Sequence, residues 1–90
     1  MPIPTVTVVH APACHFCADA QAALNDLGRE LPIRVDLVAA DSDTGEALVG
    51  IHRPSMFPLV LVDGAFFSQG RLPRRKLRAL LASGPVVSPR

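Results

Sequence analysis

Apolar and polar residues alternate along this chain with two periods, and the switches between them mark its elements. Residues 3–9, Ile-Pro-Thr-Val-Thr-Val-Val, are β-branched and partly alternating, a strand pattern with Pro4 confined to its start. His10-Ala11-Pro12-Ala13 reads as a short loop. From about His15 to Glu30, Phe16, Ala20, Ala23, Leu24 and Leu27 recur at helical spacing. Gly28 is expected to cap that helix, and Pro32 forbids its continuation. Ile33, Val35 and Leu37 then alternate with Arg34 and Asp36, which predicts a second strand through Val38.

Asp41-Ser42-Asp43-Thr44 has the composition of a helix N-terminus, and Asp43 with Glu46 fits capping-box spacing. Ala47, Leu48 and Ile51 are the expected apolar face, with Gly50, His52 and Arg53-Pro54 ending the helix. Pro58-Leu59-Val60-Leu61-Val62 has no polar position, as expected of a strand buried on both faces. Asp63-Gly64 is a hairpin signal, Ala65–Ser68 the returning strand, and Gly70 a turn. Pro73 suits the first position of a last helix, Arg74 to about Ala82, with Leu77, Leu80 and Leu81 inward. The predicted order is β-α-β-α-β-β-α. A right-handed βαβ unit plus a hairpin gives an α/β fold: one mixed four-stranded sheet with helices on both faces.

With 90 residues, 49% of them apolar and 19% charged, the chain holds enough apolar material for one core. One domain is expected over residues 1–84, stopped by Gly84-Pro85, with residues 85–90 as a loose tail. No run approaches the roughly 20 apolar residues of a membrane span. Met1-Pro2-Ile3-Pro4 has no basic stretch of the secretory kind, so a cytoplasmic protein is expected; a monomer is expected as well. The net charge of +1 divides unevenly. Residues 1–50 carry two basic and seven acidic side chains; residues 51–90 carry seven basic and one acidic. Arg71, Arg74, Arg75, Lys76 and Arg78 supply most of the basic half. They form either a docking patch for an acidic partner or a solvated helix face. No aromatic platform interleaves with them, which argues against nucleic acid.

The only two cysteines, Cys14 and Cys17, enclose His15 and Phe16 at the junction of the first strand and the first helix. A CxxC there reads as a redox-active dithiol. Two intervening residues allow a small disulfide ring, and the positive end of the helix dipole favours a thiolate on the first sulfur. Cys14 is the candidate nucleophile, and Cys17 would resolve the mixed disulfide. His15, as imidazolium, would favour the thiolate; alternatively it faces solvent and only tunes the potential. Phe16 is expected to pack near the site.

The chain resembles the thioredoxin superfamily, and more closely its short glutaredoxin-like branch. The resemblance rests on the strand leading into Cys14-His15-Phe16-Cys17, the element order, Met56-Phe57-Pro58 opening a buried strand, and Asp63-Gly64 followed by Gly70. It spans about residues 5–82 and implies a minimal thioredoxin-like fold with thiol–disulfide oxidoreductase activity. Pro58 resembles the cis-proline of that superfamily, and Phe57 would offer its main chain to an extended thiol substrate. Gly70 and Arg71 fall where glutaredoxins hold glutathione.

The chain departs from these relatives at several positions. Ala13 stands where thioredoxins place a Trp, and Val8 where they place a buried acid. Ala11-Pro12-Ala13 lacks the basic residue common before a glutaredoxin CxxC, and Gln69-Gly70-Arg71-Leu72 lacks the second Gly and the acid. No bound cofactor is implied. Expected partners are disulfide-bearing proteins or glutathione mixed disulfides, with glutathione or a reductase as electron donor. Two rivals stay open. One is a zinc site built from Cys14, Cys17 and two of His10, His15 and His52. The other is a redox-silent interaction module.

Overall fold

Seven elements form in the predicted order in the computed structural model, which describes residues 3–82. They are β1 (Thr5–His10), α1 (His15–Glu30), β2 (Arg34–Ala39), α2 (Asp43–His52), β3 (Leu59–Val62), β4 (Ala65–Gln69) and α3 (Arg74–Ala82). The expected boundary at residue 84 and the tail 85–90 lie outside the described residues.

The sheet order is β2-β1-β3-β4. β1 pairs with β2 in parallel and with β3 antiparallel, so β1 and β3, the two most buried strands, lie in the middle. Alternation along β1 and β3 feeds two cores. Val6, Val8 and Val60 face α1 and α3, where Ala20, Ala23, Leu24, Leu27, Leu77 and Leu81 meet them. Val9, Leu59 and Leu61 face the other way, with Leu48, Val49 and Phe57 packed on them. Burial on both faces is what an unbroken apolar β3 demands. Asp63 and Gly64 take φ of 50° and 83°, a tight two-residue hairpin that joins β3 to β4. The extra residue of a bulge in β4 is Phe67, since Val60 pairs with Ser68 but Leu61 with Phe66.

Four local expectations change. Gly28 does not cap α1; the helix runs through it to Glu30. It ends at Leu31, which is extended as a residue before proline prefers, with its N–H still bonded to the Leu27 carbonyl at 2.8 Å. At α2 the cap is Ser42 rather than Asp43. The Ser42 Oγ accepts the Gly45 N–H at 3.0 Å and donates to the Ala39 carbonyl at 2.6 Å.

The inner face of α2 is also rotated from expectation. Ile51 is 72% exposed and Ala47 is exposed. Gly45 sets the rotation, because only a residue without Cβ fits against the backbone of Ala39 and Ala40. That contact turns the stripe Gly45, Leu48, Val49, His52 inward. Finally, β2 has the alternation of a half-buried strand, yet Val35 and Leu37 are 37% and 52% exposed. They share a face with Val6 and Val8 but lie at the edge of the sheet, beyond the cover of α1 and α3.

At α3, Pro73 sits one position before the helix, and its carbonyl accepts the Leu77 N–H at 3.0 Å. Leu77 and Leu81 are buried, and Leu80 is half-buried. Among the described residues no helix is long and apolar enough to cross a membrane.

Candidate redox site

Cys14 is the N-cap of α1, with φ −110° and ψ 105°. Its Sγ accepts the Cys17 N–H at 3.1 Å, so a sulfur fills the place of the usual capping oxygen. Its carbonyl accepts the Ala18 N–H at 3.3 Å. The sulfur therefore sits at the positive end of a 16-residue helix with the Cys17 N–H directed at it, an environment that favours negative charge. Cys14 and Cys17 are joined as a disulfide, with Cα atoms 5.2 Å apart. Cys14 is half-buried, whereas Cys17 is 4% exposed. Of the two sulfurs, the first is the one an incoming partner can reach.

The turn into the cap is made by Ala13 at φ 53°, in the left-handed region. An L-residue there costs about 1–2 kcal/mol relative to the right-handed form. His15 is exposed in the first helical position. Phe16 is 40% exposed, so it borders the dithiol on the surface instead of packing beneath it. Below the site the core is wholly apolar: Val8 is fully buried, and no buried residue among those described is polar or charged.

The antiparallel register brings a second segment to the same end of the sheet. Val9 pairs with Leu59, so Pro58 and Phe57 lie level with the loop leaving β1. The Phe57–Pro58 peptide bond is cis, and Pro58 is fully buried. The Phe57 side chain is half-buried and packs on the Val9, Leu59 and Leu61 cluster. Gly70 joins this segment directly, its N–H bonding the Pro58 carbonyl at 3.0 Å. Its φ is 75°, and a Cβ there would approach the Met56 Sδ to 3.1 Å.

A residue that the sequence did not single out completes the brace. The Gln69 side chain accepts the Ser55 N–H and donates to the Ser55 Oγ, both at 3.0 Å. The loop bearing the cis-proline is thus tied to the end of β4 at two successive residues. The link spans fourteen positions, so no local pattern announces it.

Arg71 is exposed immediately after Gly70, at the approach to α3. It lines an open groove of about 550 Å³ with Leu72, Pro73, Arg74, Arg75 and Lys76. The basic residues of α3 divide between two tasks. Arg74 reaches Asp19 and Arg78 reaches Glu30, each at 2.6 Å, so two of them tie α3 to acidic positions on α1. The Lys76 Nζ stands 5.9 Å from the centre of the Phe67 ring. Part of the charge asymmetry is therefore answered within the fold, while Arg71 and Arg75 face solvent. His10, His15 and His52 do not gather with the cysteines. Among the described residues no group of three or more His, Cys, Asp or Glu is placed to hold a metal ion.

No protein-family model matches the sequence, and no curated protein matches it. Solved structures do match in three dimensions. An uncharacterised thioredoxin-like protein from Clostridium perfringens superposes with a TM-score of 0.75 at 17% identity, covering 96% of this chain and 74% of that one. A mutant thioredoxin from Halobacterium salinarum NRC-1 gives 0.71 at 18% identity, covering 96% and 78%. Trxlp from Edwardsiella tarda EIB202 gives 0.56 at 23% identity, covering 88% and 82%. The chain has the thioredoxin-like fold, with a CxxC pair closed as a disulfide at the N-terminus of its first helix.

Proposed function

We propose that this protein is a dithiol thiol–disulfide oxidoreductase acting through Cys14 and Cys17. The observation that carries the reading is the unequal placement of the two sulfurs. One is accessible and caps α1; the other is buried and bonded to it. In the reduced protein the Cys14 thiolate attacks one sulfur of a substrate disulfide, and the other substrate sulfur leaves as a thiolate that takes up a proton. Cys17, having lost its proton, then attacks Cys14 in the mixed disulfide and releases the second substrate thiol. The substrate gains two electrons and two protons, and the protein is left as the Cys14–Cys17 disulfide. A dithiol reductase or two molecules of glutathione would return the electrons.

Phe57, Pro58, Gly70 and Arg71 form the proposed substrate edge. Phe57 offers its main chain to an extended segment, and Arg71 offers a guanidinium to a carboxylate. His15, next in sequence to Cys14, would add positive charge beside its thiolate when protonated. Protein disulfides are the favoured substrates, because the structural neighbours include a thioredoxin and the Gly-Gly-acid stretch of glutathione recognition is absent at Gly70-Arg71-Leu72. Glutathione, as reductant or as mixed disulfide, is the alternative, and a cytoplasmic setting fits either.

The test is to present the oxidised protein to glutathione and, separately, to a thioredoxin reductase with NADPH, following reduction of insulin. Turnover that is lost in Cys14→Ser supports the assignment, and the donor sustaining it identifies the branch. Full reductase activity in Cys14→Ser would sink the assignment.

A further inference from the structure

β2 is an edge strand whose outward face is open and whose sequence is complementary to itself. Its inward hydrogen bonds fix its orientation: the Arg34 N–H bonds the Pro4 carbonyl at 2.9 Å, and the Ala40 N–H bonds the His10 carbonyl at 2.8 Å. Even-numbered residues therefore direct their backbone groups toward β1. Ile33, Val35 and Leu37 direct theirs outward, where among the described residues no strand pairs with them. Edge strands are usually protected by a bulge, a proline or an obstructing charge along the open side. β2 has no bulge or proline over Arg34–Ala39, and its charges are arranged in a way that selects one partner.

We propose that the outer edge of β2 pairs antiparallel with the same edge of a second copy, on a two-fold axis at Val35. In that register Val35 faces Val35, Ile33 faces Leu37, and Arg34 faces Asp36. The odd-numbered positions become hydrogen-bonded pairs and the charged positions non-hydrogen-bonded pairs, where facing side chains come closest. Three hydrogen-bonded pairs supply about six backbone hydrogen bonds. Pro32 falls opposite Val38 at a position that requires no N–H. Each copy also brings its exposed Val35 and Leu37 to one shared apolar strip on the α1 side of the sheet.

Neighbouring arrangements are disfavoured by the same charges. Sliding the partner by two residues sets Arg34 against Arg34 or Asp36 against Asp36. A parallel approach of the same two edges cannot be in register, because a residue whose backbone groups point outward must then face one whose groups point inward; the antiparallel pair uses both outer edges and closes on itself. Within one chain Arg34 Nε and Asp36 Oδ1 form an ion pair at 3.6 Å with side chains 73% and 48% exposed, a pairing that exchanges for Arg34–Asp36 contacts across the axis. One six-residue strand edge on each side makes a small contact, so the dimer is a weak, concentration-dependent one.

Sedimentation equilibrium on the full chain, from micromolar concentration to about 1 mM, a range that reveals even weak self-association, tests the proposal. The apparent mass rises from 9.6 kDa toward twice that value. Arg34→Asp and Asp36→Arg each place like charges opposite one another and hold the mass at the monomer value. An equimolar mixture of the two recovers the dimer, because acid then faces base across the axis. Both side chains are exposed, so folding is retained; the double exchange Arg34→Asp with Asp36→Arg restores self-pairing and guards against a folding artefact. A wild-type chain that stays at 9.6 kDa throughout, leaving the edge to some other chain, overturns the proposal. So does a dimer that persists unchanged in both single variants.

Discussion

Replacing Gly45 with alanine probes how α2, and through it the cis-proline loop, is seated on the sheet. An added Cβ at Gly45 would land on the Ala39 carbonyl oxygen, 2.8 Å from the carbonyl carbon and 2.9 Å from the Ala40 Cα. All three atoms are backbone of a paired strand end, so no side chain can swing aside. α2 must lift instead, which loosens Leu48 and Val49 over the second core and weakens the Ser42 cap. Half-exposing two aliphatic side chains costs on the order of 2 kcal/mol, and the weakened cap about 1 kcal/mol. Alanine returns roughly 1 kcal/mol through its helix propensity. The net loss is about 2 kcal/mol, a fall in Tm of roughly 8–16 °C for a domain of this size. Gly50 is the internal control: nothing lies within 4 Å of its added Cβ, so Gly50→Ala gains about 0.5–1 kcal/mol. Thermal denaturation followed by far-UV circular dichroism reads both variants. A Gly45→Ala protein as stable as Gly50→Ala would refute the packing argument.

Leu77→Ala removes a fully buried side chain from the α1–α3 core and is expected to cost about 2–5 kcal/mol by urea denaturation. Gln69→Ala releases both bonds to Ser55, which are exposed, so it costs only about 1 kcal/mol. Its signature is local: amide exchange at Ser55 accelerates while that at Val60 stays slow. Asp63→Ala loses the side-chain acceptor of the Thr5 N–H at 2.9 Å and leaves alanine at φ 50°, a combined loss of about 1–2 kcal/mol in the same denaturation assay.

The pair Cys14 and Cys17 was the most legible part of the chain, because its meaning depends on local context alone: an apolar strand before it and a periodic helix after it. The span of α1 and the Asp63-Gly64 hairpin were equally local. What escaped the sequence involves partners distant in the chain. The rotation of α2 follows from Gly45 meeting the backbone of Ala39, which no periodicity within 43–52 encodes. The alternation in β2 shows which residues share a face, but not that α1 leaves that face open at Val35 and Leu37. From sequence Arg74 and Arg78 belong to either a docking patch or a solvated helix face, and only the fold brings Asp19 and Glu30 opposite them. Ala13 takes a left-handed turn without the glycine that would have announced it. Gln69 braces the cis-proline loop through a contact only the folded hairpin creates.

If Cys14 attacks and Cys17 resolves, the two single variants separate in a trapping experiment. Reduced Cys17→Ser, mixed with an oxidised protein substrate and mapped by mass spectrometry, should accumulate a mixed disulfide on Cys14. Reduced Cys14→Ser should accumulate none, its remaining sulfur being buried beneath the helix start. An adduct forming on Cys17 of Cys14→Ser as fast as on Cys14 of Cys17→Ser would contradict these unequal roles.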